Sequence, residues 1–384
     1  MENKKFNGDR LKTARIYRGY TVAELAEKLS LQRQTVSMYE NNKISTPEYS
    51  VIQNMGKELG FPIEFFLQPN CVSVKMGSTY FRSLLTTSKK YRSEQIERIN
   101  LIAQVFSFIS EYIDFPGTKL PRYTGNDPEE AAMLLRSEWE IGEKPIENII
   151  YLVEENGIFV SSFKAESNCV DAFSQLIDID GDSKYIIGYS DNKTTAARIH
   201  FDIAHELGHI LLHEWSEDVD ALSKEEFKDI EHQAHAFAGA FLLPRDAFLK
   251  DLGIYGNNID YYCELKKKWR VSISAMIRRA YNLGAISQFS YQQMMRLMQK
   301  RGIKKFEPLD DILTTAEPTL FYTAVNILLD QGVFTAKEFV QGLSIDCSLS
   351  LTSCEIESLL GLPKGMLFYE DKVPEHRLNL RLLK

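Results

Sequence analysis

Two imidazoles and a carboxylate share the short run His205-Glu206-Leu207-Gly208-His209, and six of the chain's seven histidines fall between Arg198 and His235. A helix turns about 100° per residue, so positions i and i+4 share a face and both rings can bind one metal ion. Glu206 then stands beside the water that such an ion would activate, as its proton acceptor. Ile203, Leu207, Ile210 and Leu211 recur at helical spacing and suit a core-facing stripe. The plainer alternative is a buried amphipathic helix with hydrogen-bonded histidines.

A tetrahedral catalytic zinc takes three protein ligands. One known arrangement places a third His further along the same stretch, after a Gly that turns the chain. Here those places hold Leu211 and Trp215. The run Ile230–Ala238 reads as a second helix, and Glu231 on it is the preferred third ligand. His235, one turn later on the same face, is its rival, with His232 a third option. His213 lies one turn past His209 and suits a capping or solvent-facing role. His200 receives none. Tyr185, Tyr189 and Arg198 are candidate oxyanion donors, each also readable as structural.

The stretch Arg198–Pro244 carries Phe201-Asp202-Ile203-Ala204-His205-Glu206-Leu207-Gly208-His209, then Glu231, Ala234, Phe237-Ala238 and Leu242-Leu243-Pro244. In this it resembles the ImmA/IrrE family of bacterial metallopeptidases, over roughly Asp127 to Arg301. The resemblance implies that His205, His209 and Glu231 hold Zn2+ and that Glu206 is the catalytic base. It also implies a protein substrate, since related peptidases act on helix-turn-helix repressors. The chain departs from the family pattern at Gln233-Ala234-His235, where Glu-Ala-Asn is usual.

The N-terminus holds a second informative region. Arg10–Arg15 begins an amphipathic helix. Thr21 is an N-cap with Glu24 three positions on, a capping box. A break at Ser30-Leu31 leads into Gln32–Glu40. Two short helices joined by a tight turn make a helix-turn-helix, with Leu25, Ala26, Leu29, Leu31, Val36 and Tyr39 as its core. The first 65 or so residues resemble the XRE family of phage-repressor-like DNA-binding domains. Ser30 stands where that family usually has Gly. Val22 stands where it often has a phosphate-reaching Gln.

At the start of the third helix, Gln32, Arg33 and Gln34 suit base edges, Arg for guanine and Gln for adenine. Ser37 lies one turn on, and Asn42 and Lys43 should meet the DNA backbone. Residues 1–70 carry ten Lys/Arg against eight Asp/Glu, while the whole chain is −8. Phosphate neutralisation per monomer is therefore modest, and a homodimer on two half-sites of double-stranded operator DNA is expected. The run Lys89-Lys90-Tyr91-Arg92, just past the domain, reads first as a solvated linker face, with added DNA contacts as the alternative.

These sites need elements to position them. At 384 residues, with 44% hydrophobic and 26% charged content, two or three globular domains are expected. The pattern is mainly α with a small sheet (α+β). A lambda-repressor-like helical domain spans 1–70, and a linker with a long helix spans 71–118. A zincin-like α+β domain spans 119–300, and a mostly helical regulatory or dimerisation region spans 301–384. The spacing predicts a helix over Ser93–Phe115, as core or as a dimer seam. Val72–Phe81 is β-prone. Gly157–Phe163, Ala172–Ile177 and Lys184–Tyr189 read as strands, with a hairpin at Asp180-Gly181-Asp182. A sheet edge near the metal would hold a substrate peptide extended. Leu265–Leu283 resembles a second helix-turn-helix, read first as a structural part of the peptidase family.

Cys71, Cys169, Cys263, Cys347 and Cys354 are odd in number and scattered, which suits reduced thiols. No apolar run reaches membrane-spanning length and no signal peptide is visible, so a cytoplasmic, nucleoid-associated protein with no membrane partner is expected. The expected function is a transcriptional regulator whose zinc peptidase cleaves a helix-turn-helix repressor, or itself, on a stress or mobile-element signal. The competing reading is a non-proteolytic repressor or antitoxin-like regulator whose zinc domain senses a ligand or supports the fold. Retention of Glu206 favours the first.

Overall fold

The computed structural model describes residues 5–43, 46–71, 74–81, 89–163, 172–179, 181–191, 195–213 and 223–369. Val72, Cys169, Asp180 and Trp215, named above, lie outside them. Asn7 caps helix α1 (Gly8–Tyr17), and Thr21 caps α2 (Val22–Lys28) in a complete capping box with Glu24. Ser30, at φ 54°, turns the chain into α3 (Arg33–Glu40). Helix α4 (Tyr49–Leu59) and a 3-10 turn (Ile63–Leu67) complete this unit. Leu25, Ala26, Leu29, Val36 and Tyr39 are buried, as the spacing predicts, and Leu31 is half-buried. Arg15 clamps Glu40 across this core with bonds of 2.5 and 2.9 Å, tying the first helix to the third.

Strand β1 (Val74–Phe81) and helix α5 (Lys89–Ser110) follow. Then come α6 (Pro128–Glu138), α7 (Ile149–Glu155), β2 (Phe159–Phe163), β3 (Ala172–Ile179), β4 (Asp182–Ser190), α8 (Ala196–Leu212) and α9 (Lys224–Leu242). The four strands form one sheet in the order β1-β3-β4-β2. β3 is antiparallel to both β1 and β4, and β2 runs parallel to β4. Gly181, at φ 94°, supplies the left-handed residue of the β3–β4 hairpin.

The sheet serves two cores because strand side chains alternate between faces. Val160, Ala172, Ile187 and Tyr189 pack with Ile203, Ala204 and Leu207 of α8. Phe159, Phe163, Phe173, Ile177 and Ile186 pack with the other cluster, which contains Ile99, Ile102, Phe106 and Ile109 of α5. The apolar stripe of α5 is thus spent inside the chain and is not a dimer seam.

The chain continues through α10 (Arg245–Leu252), α11 (Ile259–Trp269), α12 (Ile273–Asn282) and α13 (Gln288–Lys300). It goes on through α14 (Leu320–Asp330), α15 (Ala336–Asp346) and α16 (Ser353–Leu360). The α11–α12 pair is built as a helix-turn-helix, but its second helix is already capped. The buried Glu307 carboxylate accepts from the Ile273 and Ser274 amides at 2.6 and 3.0 Å and from Lys266 at 2.8 Å. A fixed anion at that N-terminus repels a phosphate, so this pair is structural.

Helices α14–α16 fold back onto the N-terminal unit and share its core cluster. Arg10, 1% exposed, donates to Gln104 and to the Pro69 and Ser348 carbonyls. Desolvation lowers the pKa of this buried guanidinium to about 10. Glu355 accepts from Tyr17 and Arg18. With sixteen α-helices and one four-stranded sheet among the described residues, the architecture is mainly α with a small sheet.

Candidate metal centre and nucleic-acid interface

Helix α8 starts at the N-cap Thr195, packs beneath β3 and β4, and ends at His213. His205, Glu206 and His209 on it are fully buried. Gly208 explains how the second helix comes so near. A Cβ at Gly208 would lie 3.1 Å from the Ala234 Cα and 3.1 Å from the Phe237 ring, so only glycine allows this approach without a shift. With α9 held this close, Glu231 lies over the two imidazoles.

The ligand atoms converge. His205 Nε2 and His209 Nε2 are 3.1 Å apart, and each is 3.3 Å from a different oxygen of Glu231. Ligands placed tetrahedrally around an ion at about 2.1 Å are themselves about 3.4 Å apart. Two imidazoles and a carboxylate are also a zinc donor set, so both spacing and chemistry fit one ion. His235 is exposed, yet its ring centroid is 4.8 Å from that of His205. A ring nitrogen of His235 lies with ligand atoms of His205 and Glu231 inside a 4.8 Å cluster. That set is looser than the His205–His209–Glu231 triangle, and the triangle matches the tetrahedral edge better. His232 is exposed.

Burial alone would raise the Glu231 carboxyl, but hydrogen bonds and charge from His205 and His209 outweigh it and hold the pKa at about 2. Glu231 is therefore ionised at neutral pH, as a ligand must be. Behind His209 runs a relay that the sequence did not disclose. Gln233 Oε1 faces His213 Nε2 at 3.2 Å, and His213 Nδ1 faces His209 Nδ1 at 3.1 Å. An amide oxygen can only accept, so His213 carries its proton on Nε2 and accepts through Nδ1. His209 then donates through Nδ1, and its Nε2 faces the ligand triangle. Burial first, and the neighbouring His209 second, lower the His213 pKa to about 4, so it stays neutral. His213 also ends α8 as its C-cap.

Ser174 is the other residue the sequence did not disclose. It is fully buried on β3, and its hydroxyl donates to Glu206 Oε2 at 2.7 Å. That bond fixes the carboxylate that would move protons. Ser174 sits beside Gln175 in a strand that also carries Asp178, so nothing singled it out, and it points to Glu206 only once the register is known. His200 is buried and apart from the triangle, with Nε2 3.3 Å from the Thr315 hydroxyl. Tyr189 is a core residue of β4, and Tyr185 is half-buried.

At the other end of the chain, Gln32, Arg33 and Gln34 are exposed together at the first turn of α3. Ser37 is half-buried one turn on, and Lys43 is exposed. Asn42 is exposed too, but its Oδ1 accepts from the Gly8 amide at 2.9 Å, so that oxygen is engaged inside the fold. Lys89 and Lys90 lie against the helix-turn-helix unit. They line an open cavity of about 430 Å³ together with Thr21, Val22 and Arg33. Lys90 Nζ lies 3.4 Å from Glu24, the capping-box acid of α2.

Residues 153–281 match the peptidase family model described as the IrrE N-terminal-like domain, and residues 11–66 match the helix-turn-helix model. No curated protein matches the chain. Fold, site and these matches together define a DNA-binding regulator with a protease-like domain. The matched segments are an XRE-type helix-turn-helix domain near the N-terminus and an ImmA/IrrE-like domain in the middle of the chain. No helix among the described residues is long and apolar enough to cross a membrane.

Proposed function

We propose that this protein binds operator DNA through the start of α3 and that its IrrE-like domain is a zinc-dependent endopeptidase. The observation that carries the second half is the triangle of His205, His209 and Glu231 beside a Glu206 held in place by Ser174. When bound, zinc polarises a carbonyl oxygen and makes water more acidic. His205, His209 and Glu231 would hold it. Glu206 accepts the proton of the attacking water and returns it to the leaving amine, so one carboxylate serves as base and then acid. Ser174 keeps one oxygen of Glu206 oriented, and the burial of the site shields the transfer from bulk water.

The substrate is a helix-turn-helix repressor or the chain itself, and a stress or mobile-element signal triggers its cleavage in the cytoplasm. On DNA, Gln32, Arg33, Gln34 and Ser37 face the major groove. Lys43 meets the backbone, and Lys89 and Lys90 add phosphate contacts beside the N-terminus of α2. A homodimer covers two half-sites. The test pairs the wild type with Glu206→Gln. Both should bind one zinc per chain by metal analysis, while the variant loses about 10²–10⁴-fold of the rate on a repressor substrate. Full operator binding by the wild type, with zinc bound and no proteolysis of any repressor or of itself, would leave only the regulator.

A further inference from the structure

Three of the four strands, β2, β3 and β4, lie within the stretch that matches the IrrE-like domain. The fourth does not. β1 comes from the segment between the DNA-binding unit and α5, and it pairs antiparallel along the outer edge of β3, from Val74 opposite Ile179 to Phe81 opposite Phe173. On this strand Tyr80 stands opposite Ser174, the residue whose hydroxyl holds Glu206. β1 therefore runs past the carboxylate assigned as general base.

The faces of β3 are covered, by α8 on one side and by the cluster containing α5 on the other. Its outer edge is the remaining approach for an extended peptide, and β1 fills it. A bare edge would offer a row of amide and carbonyl groups to any extended chain. The pairing that fills it is poor. The register breaks between Met76 and Thr79, so Gly77 and Ser78 interrupt the ladder. Glycine in a strand adds backbone entropy to the cost of pairing. A tightly paired inner strand such as β4 has no such break against β3.

We propose that Val74–Phe81 is a resident peptide on the substrate edge of the site, and that an extended segment of a partner protein reaches Glu206 by displacing it. This rests on the peptidase reading of the site. It names the substrate class, a strand-forming extended peptide, and it names the brake on that site, a piece of the chain's own interdomain segment. Because β1 leads directly from the DNA-binding unit, the brake lies where a change in that unit can pull on it.

The experiment uses the full chain in metal-free form, so binding is read apart from cleavage. Neighbouring residues in a strand point their N–H groups to opposite sides, so Thr79→Pro with Tyr80→Pro must remove one bond to β3. Thr79→Ala with Tyr80→Ala is the control that keeps the backbone. A fluorescent peptide of sequence Val74–Phe81 should bind the proline variant at least tenfold more tightly than the wild type by anisotropy. It should also restore slow amide exchange to Ala172–Ile179. Equal binding to both overturns the proposal.

Wild-type hydrogen exchange decides the case if the proline variant does not fold. Those amides of Val74–Phe81 that bond to β3 should exchange at least tenfold faster than the bonded amides of Tyr185–Tyr189, through an opening that spares β4. A common rate set by global unfolding makes β1 a fixed part of the sheet and refutes the proposal. Tight peptide capture with no cleavage after zinc is added keeps this inference and removes the peptidase. Cleavage with capture indifferent to the prolines does the reverse.

Discussion

His200 makes the cost of burying a titratable group measurable. It is fully buried, and desolvation, with a lesser push from Arg270, lowers its pKa to about 4. The unfolded value is about 6.5, so between pH 6.5 and 4 the unfolded chain holds a proton that the folded chain lacks. Stability is complete above the unfolded value and falls as pH drops through the folded one, by up to about 3 kcal/mol. In His200→Gln, the shift of the urea midpoint between pH 7 and pH 4.5 should shrink by a large part of that amount. An unchanged shift would assign the acid sensitivity elsewhere. Ser30 is a second single-residue case. Its φ of 54° costs an L-residue about 1 kcal/mol, against a smaller entropic penalty for glycine in the unfolded chain. Ser30→Gly should raise stability by about 0.5 kcal/mol with operator affinity unchanged, as read by thermal melts and DNA titration.

Among the elements, the α8–α9 contact decides whether a metal site exists. Two histidines one turn apart on α8 are only two ligands. Glu231, the proposed third, reaches them because Gly208 and Ala234 let two helices approach closely. In Gly208→Ala the added methyl meets Ala234 and Phe237 at 3.1 Å, and α9 must give way. Overpacking of this kind costs about 1–3 kcal/mol. The larger signal should be a zinc affinity at least tenfold weaker by competition with a chromophoric chelator. Zinc affinity equal to the wild type would mean that Glu231 tolerates the shift, or that His235 replaces it. The same logic explains what the α11–α12 pair lacks. Its local sequence reads as a DNA-binding turn, but Glu307, more than thirty positions away, supplies the anion at its N-terminus.

At the scale of the whole molecule, the DNA-binding unit is joined to the rest at several points. Arg10, Gln68 and Glu355 tie it to the C-terminal helices, and α5 runs from beside α2 to the back of the four-stranded sheet. The start of α5 places Lys89 and Lys90 beside Arg33, and the two classes of contact should separate on titration. Lys89→Ala with Lys90→Ala should weaken operator and nonspecific DNA alike and reduce the salt slope by about 1–2. Arg33→Ala should instead reduce discrimination by about 1–3 kcal/mol at a similar slope. Affinity and slope untouched by the lysine pair would return that run to a solvated face.

The sequence by itself determined whatever depends on neighbours one turn apart. His205, Glu206 and His209 share a face because the helix repeats. The Thr21–Glu24 capping box and the exposed turn Gln32–Gln34 are equally local. Glu231 was legible as a candidate, since it sits on a helical run of its own. Only the tertiary structure decided the rest. Ser174 meets Glu206 because of how the sheet lies on α8. Gln233 and His213 orient the ring of His209 because two helices face each other. The C-terminal helices cover the DNA-binding unit, and β1 takes the edge of β3, through pairings between segments far apart in the chain. Local periodicity fixes which residues share a face, but it carries no information about which other face will be buried against it.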